Sequence, residues 1–167
     1  MTPATYIVAL GSNRHGRHGS PVAEVVAALT LLDPLATSPI ASSAPLGPSL
    51  RRYANAVAVV ADTRDPPAFL ALLKAIERDF GRRAGRRWGA RVLDLDIVLW
   101  SGGIWADAAL AIPHPAFRHR GFVLAPLARL APGWRDPLTG RTARQLAARL
   151  TRAKRLPRRG RRVGEGP

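Results

Sequence analysis

The chain has 167 residues, of which 47% are apolar, enough for one domain with a sizeable core. It has no cysteine, which excludes a disulfide framework and thiolate chemistry. Its formal net charge of +15 invites acidic partners, but the charge is unevenly placed: residues 151–167 hold seven basic residues against Glu165, and a second arginine cluster runs from Arg78 to Arg91. The opening "MTPATYIVALGSN" has neither a basic leader nor a long apolar run, so neither a signal peptide nor a membrane span is expected, and the cytoplasm is the expected compartment.

"ATYIVALGSN" reads as a first strand ending in a turn, and "RHGRHGS" as a mobile loop. Ser20 is a good N-cap and Pro21 a good first helical residue. Val22, Val25, Val26, Leu29 and Leu32 then recur at helical spacing. "ATSPIASSAPLGPS" is a second, irregular strand entering a Pro/Gly loop, and the valine-rich "YANAVAVVA" is a third strand. Asp65 caps a second helix with Pro66 and Pro67 in its first turn and an apolar stripe of Phe69, Leu72, Leu73, Ile76 and Phe80. "GRRAGRRWGAR" is a loop and "VLDLDIVLW" a fourth strand. A turn segment and irregular chain follow, then two short helices, "FVLAPLARLAP" and "TARQLAARL". The order is β-α-β-β-α-β, the ferredoxin-like α+β pattern: an antiparallel sheet with helices on one face and the other face free for a site. Residues 1–150 form the expected domain and 151–167 a basic, disordered tail.

Two aspartates, Asp94 and Asp96, interrupt the fourth strand. Alternation puts both on one face and Leu93, Leu95, Ile97 and Leu99 on the other. At roughly 5 Å and an effective dielectric near 20 they repel by about 3 kcal/mol, so something positive must offset them. Spacing alone leaves open a solvated edge strand or two plain salt bridges to arginine. Yet Arg82, Arg83, Arg86, Arg87 and Arg91 exceed what two carboxylates need. Mg²⁺ with a polyphosphate accommodates both signs, since Mg²⁺ takes one or two carboxylates plus substrate phosphates. There is no Walker-type glycine loop, so side chains and metal must hold the phosphates. Four scattered histidines without cysteine make no zinc site. Asn55, in an apolar strand, needs polar partners.

Several stretches together carry a resemblance: "ALGSN", "PLG" followed by "YANAV", "IERDFGR", "RWGARVLDLDI" and "IPHPAFRHRGFVLAPL". In this order and spacing, over residues 4–135, the chain resembles the 6-hydroxymethyl-7,8-dihydropterin pyrophosphokinase family. The resemblance implies pyrophosphoryl transfer from ATP to the hydroxymethyl oxygen of a reduced pterin, releasing AMP, within folate biosynthesis. It implies two Mg²⁺ ions on Asp94 and Asp96, and catalytic roles for Arg82 and Arg91 beside those aspartates. ATP contacts fall on Glu77, Arg83 (with Arg86 as the alternative), Trp88, Arg91, Ile97, His114 and Arg120. Pterin contacts fall on Ser43, Pro45, Leu46, Tyr53, Asn55, Trp88 and Phe122. A monomer acting on small molecules is expected, with no membrane and no specific nucleic acid as partner. The sequence departs from the family pattern at "SLRR" after "PLGP" and at Ala109 and Ala111, which bears on nucleotide affinity. The rival reading is a basic, ferredoxin-like nucleic-acid-binding module. Its strands "VAVVA" and "DLDIV" lack stacking aromatics, and paired aspartates would repel a phosphate backbone.

Overall fold

The computed structural model describes residues 2–43, 52–81 and 92–155. Strand β1 (Ala4–Ser12) lies at the centre, antiparallel to β4 (Tyr53–Asp62) on one side and β5 (Asp94–Trp100) on the other. Two short strands, β2 (Ala36–Thr37) and β3 (Ala41–Ser43), share the far edge of β4. The second strand expected from the sequence is thus one strand in two pieces. Ser38 bridges the break: its N–H donates to Val57 O (2.9 Å) and its Oγ accepts from Val57 N (3.0 Å). Counting β2 and β3 as one gives the expected β-α-β-β-α-β order, with β4 and β5 flanking β1. A β6–β7 hairpin (Trp105–Ala106, Ala111–Ile112) follows β5. No helix among the described residues is long and apolar enough to cross a membrane.

Both predicted caps form. Ser20 Oγ accepts from Ala23 N (3.3 Å) at the start of α1 (Pro21–Leu32), and Asp65 Oδ1 accepts from Ala68 N (2.9 Å) at the start of α2 (Pro66–Asp79). These helices cover one face of the sheet, packing Val25, Ala28, Phe69 and Leu73 on Tyr6, Val8, Leu10, Ala56, Leu95 and Ile97. The predicted α1 stripe is rotated: Val22 and Val26 are exposed, while Glu24 turns inward and is fully buried. The expectation that helices occupy one face is also corrected. Helices α3 (Gly121–Leu130) and α4 (Ala143–Arg155) pack on the opposite face, over Ile7, Val57, Val98 and Leu99. They cover only its apolar half. Helix α4 runs past the expected domain boundary at residue 150 to Arg155, and residues 156–167 lie outside the described ones.

Leu99 is on that opposite face because β5 contains a bulge. Val8 pairs with Ile97, but Ile7 pairs with Leu99, leaving Val98 as an extra residue. One extra residue reverses the alternation beyond it, so Leu99 does not share a face with Leu95 and Ile97 as simple alternation predicts.

The loop read as mobile is pinned. Buried Glu24 accepts from His18 N through Oε1 (2.7 Å) and pairs with His18 Nδ1 through Oε2 (2.7 Å). The His18 ring lies 4.6 Å from that of Phe80, and Arg17 sits over the same ring. A Cβ on Gly16 would clash with Val92 Cγ1 and stand 2.7 Å from Glu24 Oε1. Gly16→Ala should therefore cost about 1–3 kcal/mol, read as a lower denaturation midpoint; an unchanged midpoint would show that the loop is not held there.

Candidate active site

The open half of the second face starts where α3 and α4 end. Asp94 pairs across the ladder with Gly11, and Gly11 with Asn55; Asp96 pairs with Ala9, and Ala9 with Val57. The acidic strand and Asn55 therefore stand two strand spacings apart, roughly 10 Å, with only Ala9 and Gly11 between them. The floor is low because Gly11 carries no side chain: a Cβ there would come 3.2 Å from Asn55 Oδ1 and 3.8 Å from the Tyr53 ring.

Asp94 and Asp96 are half-buried, and their neighbours Leu95 and Ile97 are buried on the helix-covered face. Asp96 Oδ2 lies 3.5 Å from Arg120 Nη1 and 3.9 Å from His114 Nε2. Both partners come from one arm, residues 113–120, between β7 and α3. His114 N donates to Val98 O (2.9 Å), so the bulged residue's carbonyl anchors the arm. Ala116 N donates to His114 Nδ1 (3.1 Å). A nitrogen that accepts a hydrogen bond carries no proton, so in the neutral ring the proton sits on Nε2, the nitrogen facing Asp96. Burial pushes the His114 imidazole below its ordinary value; Asp96 and Asp94 oppose the shift and Arg120 reinforces it.

Arg120 also reaches toward the Phe122 ring, with its guanidinium carbon 5.9 Å from the centroid. Phe122, Ser43 and Asn55 line one cavity of about 540 Å³ between β3 and α3. Asn55 is nearly fully buried and donates through Nδ2 to Ser43 Oγ (2.6 Å). Tyr53, half-buried, pairs with Ser43 at the same end of β4. The structure thus brings Asp94, Asp96, His114, Arg120, Phe122, Asn55, Ser43 and Tyr53 to one face.

Two expected contacts lie elsewhere. The Ile97 side chain is buried under α2, leaving its main chain, on the outer edge of β5, to meet a ligand. Glu77 is fully buried on α2; its Oε1 accepts from Leu95 N (2.7 Å) and from Lys74 Nζ (2.8 Å), and Lys74 also donates to Leu95 O (3.2 Å). That carboxylate closes the edge of β5, where an unpaired strand N–H would otherwise be buried. Pro45, Leu46, Arg82, Arg83, Arg86, Trp88 and Arg91 lie outside the described residues.

Sequence reasoning missed Arg118 and Asp136. Asp136, fully buried between α3 and α4, accepts both prongs of Arg118, from Nε (2.7 Å) and Nη2 (2.6 Å). An acid flanked by Arg135 and Pro137 gives no sign in sequence that it is buried. Glu24 gave none either: it falls away from the stripe of Val22, Val25, Val26, Leu29 and Leu32, where an acid reads as solvated.

The model of the 7,8-dihydro-6-hydroxymethylpterin-pyrophosphokinase (HPPK) family matches residues 7–132. The 2-amino-4-hydroxy-6-hydroxymethyldihydropteridine pyrophosphokinase of Pseudomonas aeruginosa is 41% identical over 137 residues, 78% of this chain and 82% of that protein. The enzyme of the same name from Haemophilus influenzae is 40% identical over 134 residues, 76% and 81% of the two chains. The Synechocystis enzyme of that name is 43% identical over 100 residues; the match takes in 60% of this chain but only 51% of that relative. Among solved structures, Plasmodium falciparum HPPK-DHPS superposes over 91% of this chain and 45% of its own, with a TM-score of 0.71 at 14% identity, a likeness of fold alone. The family model takes in most of the chain, from β1 through α3, including every described residue of the open face: the chain belongs to the 7,8-dihydro-6-hydroxymethylpterin-pyrophosphokinase family.

Proposed function

We propose that the open half of the sheet's second face is where this chain performs the reaction for which its relatives are named. That reaction is transfer of a pyrophosphoryl group from ATP to the hydroxymethyl oxygen of 6-hydroxymethyl-7,8-dihydropterin, in folate biosynthesis. The observation that carries the reading is the placement of Asp94 and Asp96 across a floor of Ala9 and Gly11 from Asn55, beside the cavity of Ser43 and Phe122.

Asp94 and Asp96 would hold Mg²⁺, two ions in this reading. The donor set fits: among the described residues no group of three or more His, Cys, Asp or Glu makes a closed protein cage. Two carboxylates on one strand face suit a cation that keeps waters and takes the rest of its ligands from substrate phosphates. Bound there, Mg²⁺ supplies charge neutralisation at the phosphate oxygens. Arg120, between the acid pair and Phe122, adds a fixed positive charge where the triphosphate meets the pterin. His114 offers Nε2–H as a neutral donor. The main chain of Ile97 on the β5 edge can pair with a heterocycle edge, such as adenine. Asn55 and Ser43 supply edge donors and acceptors, and Phe122 a flat apolar surface, as a pterin ring requires. With two substrates held in line, positioning and charge do most of the work of phosphoryl transfer.

The test is incubation of the protein with ATP, Mg²⁺ and 6-hydroxymethyl-7,8-dihydropterin. AMP and the pterin diphosphate should form in equal amounts. ADP as the nucleotide product, or no pterin-dependent AMP, would overturn the assignment.

A further inference from the structure

The contact between Arg120 and Asp96 is loose. At 3.5 Å, with both side chains about one-third exposed, it sits at the outer limit of a hydrogen bond. The 3.9 Å approach of His114 is longer still. Neither contact can hold the arm; its start is moored by His114 N on Val98 O, and the position of the rest is set elsewhere.

The strong contact comes from the residue between them. Arg118 turns away from the site and forms a two-pronged bond with Asp136, at 2.6 and 2.7 Å. Asp136 is itself held rigidly. Its Oδ1 also accepts from Leu138 N (3.1 Å) and its Oδ2 from Thr139 Oγ1 (2.6 Å). Its main chain is paired in both directions, N to Arg141 O and O from Gly140 N. Burial would raise its pKa, but the bonds from Arg118, Thr139 and Leu138, with the Arg118 charge, hold it below the usual carboxyl value. Arg118 also lies over the ring of Phe117, with its guanidinium carbon 4.7 Å from the centroid, and that ring is buried under α3 and α4.

We propose that Asp136 is a positioning residue: through Arg118 it fixes the 113–120 arm in the place from which His114 and Arg120 face Asp96. The inference rests on the reading of that face given above. Geometry, not contact with substrate, is what Asp136 supplies, and small displacements of a phosphate-binding arginine are costly in such reactions.

Asp136→Asn keeps the volume and removes the charge. It should weaken ATP binding about tenfold or more, measured by calorimetric titration well below the melting temperature, while leaving the pterin dissociation constant within about twofold. Val25→Ala, a core substitution on α1, which packs on β1 and β4, supplies a destabilised control in which ATP affinity should not move. In a His114→Ala/Arg120→Ala background, Asp136→Asn should cost less than about threefold further, because the groups it positions are gone; its effect on the melting temperature should be the same in both backgrounds. Arg118→Lys keeps a charge but loses one prong, and should give an intermediate loss; it carries the test if Asp136→Asn does not fold. An ATP affinity in these variants equal to that of the native chain or of Val25→Ala, or a full loss repeated in the double background, would overturn the proposal. If the His114→Ala/Arg120→Ala chain binds ATP normally, the reading of the face falls and the proposal with it. If that chain binds ATP weakly while Asp136→Asn does not, the proposal alone falls.

Discussion

Asp94→Ala and Asp96→Ala should each lower pyrophosphoryl transfer by a factor on the order of 10²–10³ or more and leave the protein folded. The stability side follows from the geometry. Asp96 is partly exposed and lies 3.5 Å from Arg120 Nη1 and 3.9 Å from His114 Nε2; pairs of this kind are worth about 0–1 kcal/mol. Removing either carboxylate also relieves the repulsion between the two. The melting temperature of Asp96→Ala should therefore stay level or rise. The catalytic side follows from the floor: Asp94 and Asp96 share one face of β5 and look across Gly11 and Ala9 toward the strand of Asn55. AMP release at saturating substrates, beside a thermal melt, separates the two effects. Near-native turnover in both variants would remove the metal assignment.

Gly11→Val should abolish pterin binding while sparing the fold. Gly11 is the middle of the row Asp94–Gly11–Asn55. Even a Cβ there approaches Asn55 Oδ1 to 3.2 Å; the two branches of valine would rise into the space that a flat ring must occupy. Gly11 is not among the residues with a positive φ, and valine favours strands, so the backbone should accept it. The expected result is a pterin dissociation constant raised at least about a hundredfold, with ATP affinity changed much less and the melting temperature within a few degrees. Native pterin affinity in this variant would mean that the ring does not lie over the β1 floor.

Much of this was legible in the sequence, for reasons that can be named. The caps at Ser20 and Asp65 are local chemistry, and local chemistry survives folding. The α2 stripe was legible because Phe69, Leu73, Ile76 and Phe80 have one partner surface. The face shared by Asp94 and Asp96 follows from a two-residue period that holds up to Ile97. What was hidden depends on how the elements dock on one another. The burial of Glu24 reflects a bond to His18 that turns α1 about its axis and exposes Val22 and Val26. The use of Glu77 at the open edge of β5 appears only once α2 is docked on that strand. The second helical layer was missed because the apolar positions of α3 and α4 do not say which side of the sheet they cover. The rival nucleic-acid-binding reading gains nothing from the family match or the relatives.

Val98 divides a seven-residue strand into two segments of opposite phase. The segment before it aims carboxylates at the open face; the segment after it returns Trp100 to the helix side, where its ring lies 6.3 Å from that of Tyr6. The division also releases the Val98 carbonyl to anchor the arm. Loss of a single codon here would leave the ladder regular, since Ile97, Leu99 and Trp100 already meet Val8, Ile7 and Tyr6 in unbroken succession. The acids and Trp100 would keep their faces; what would go is the carbonyl that moors the arm, and with it the placement of His114 and Arg120. In this lineage, then, the extra residue is kept for the arm and not for the strand, and a relative without it would need another mooring for residues 113–120.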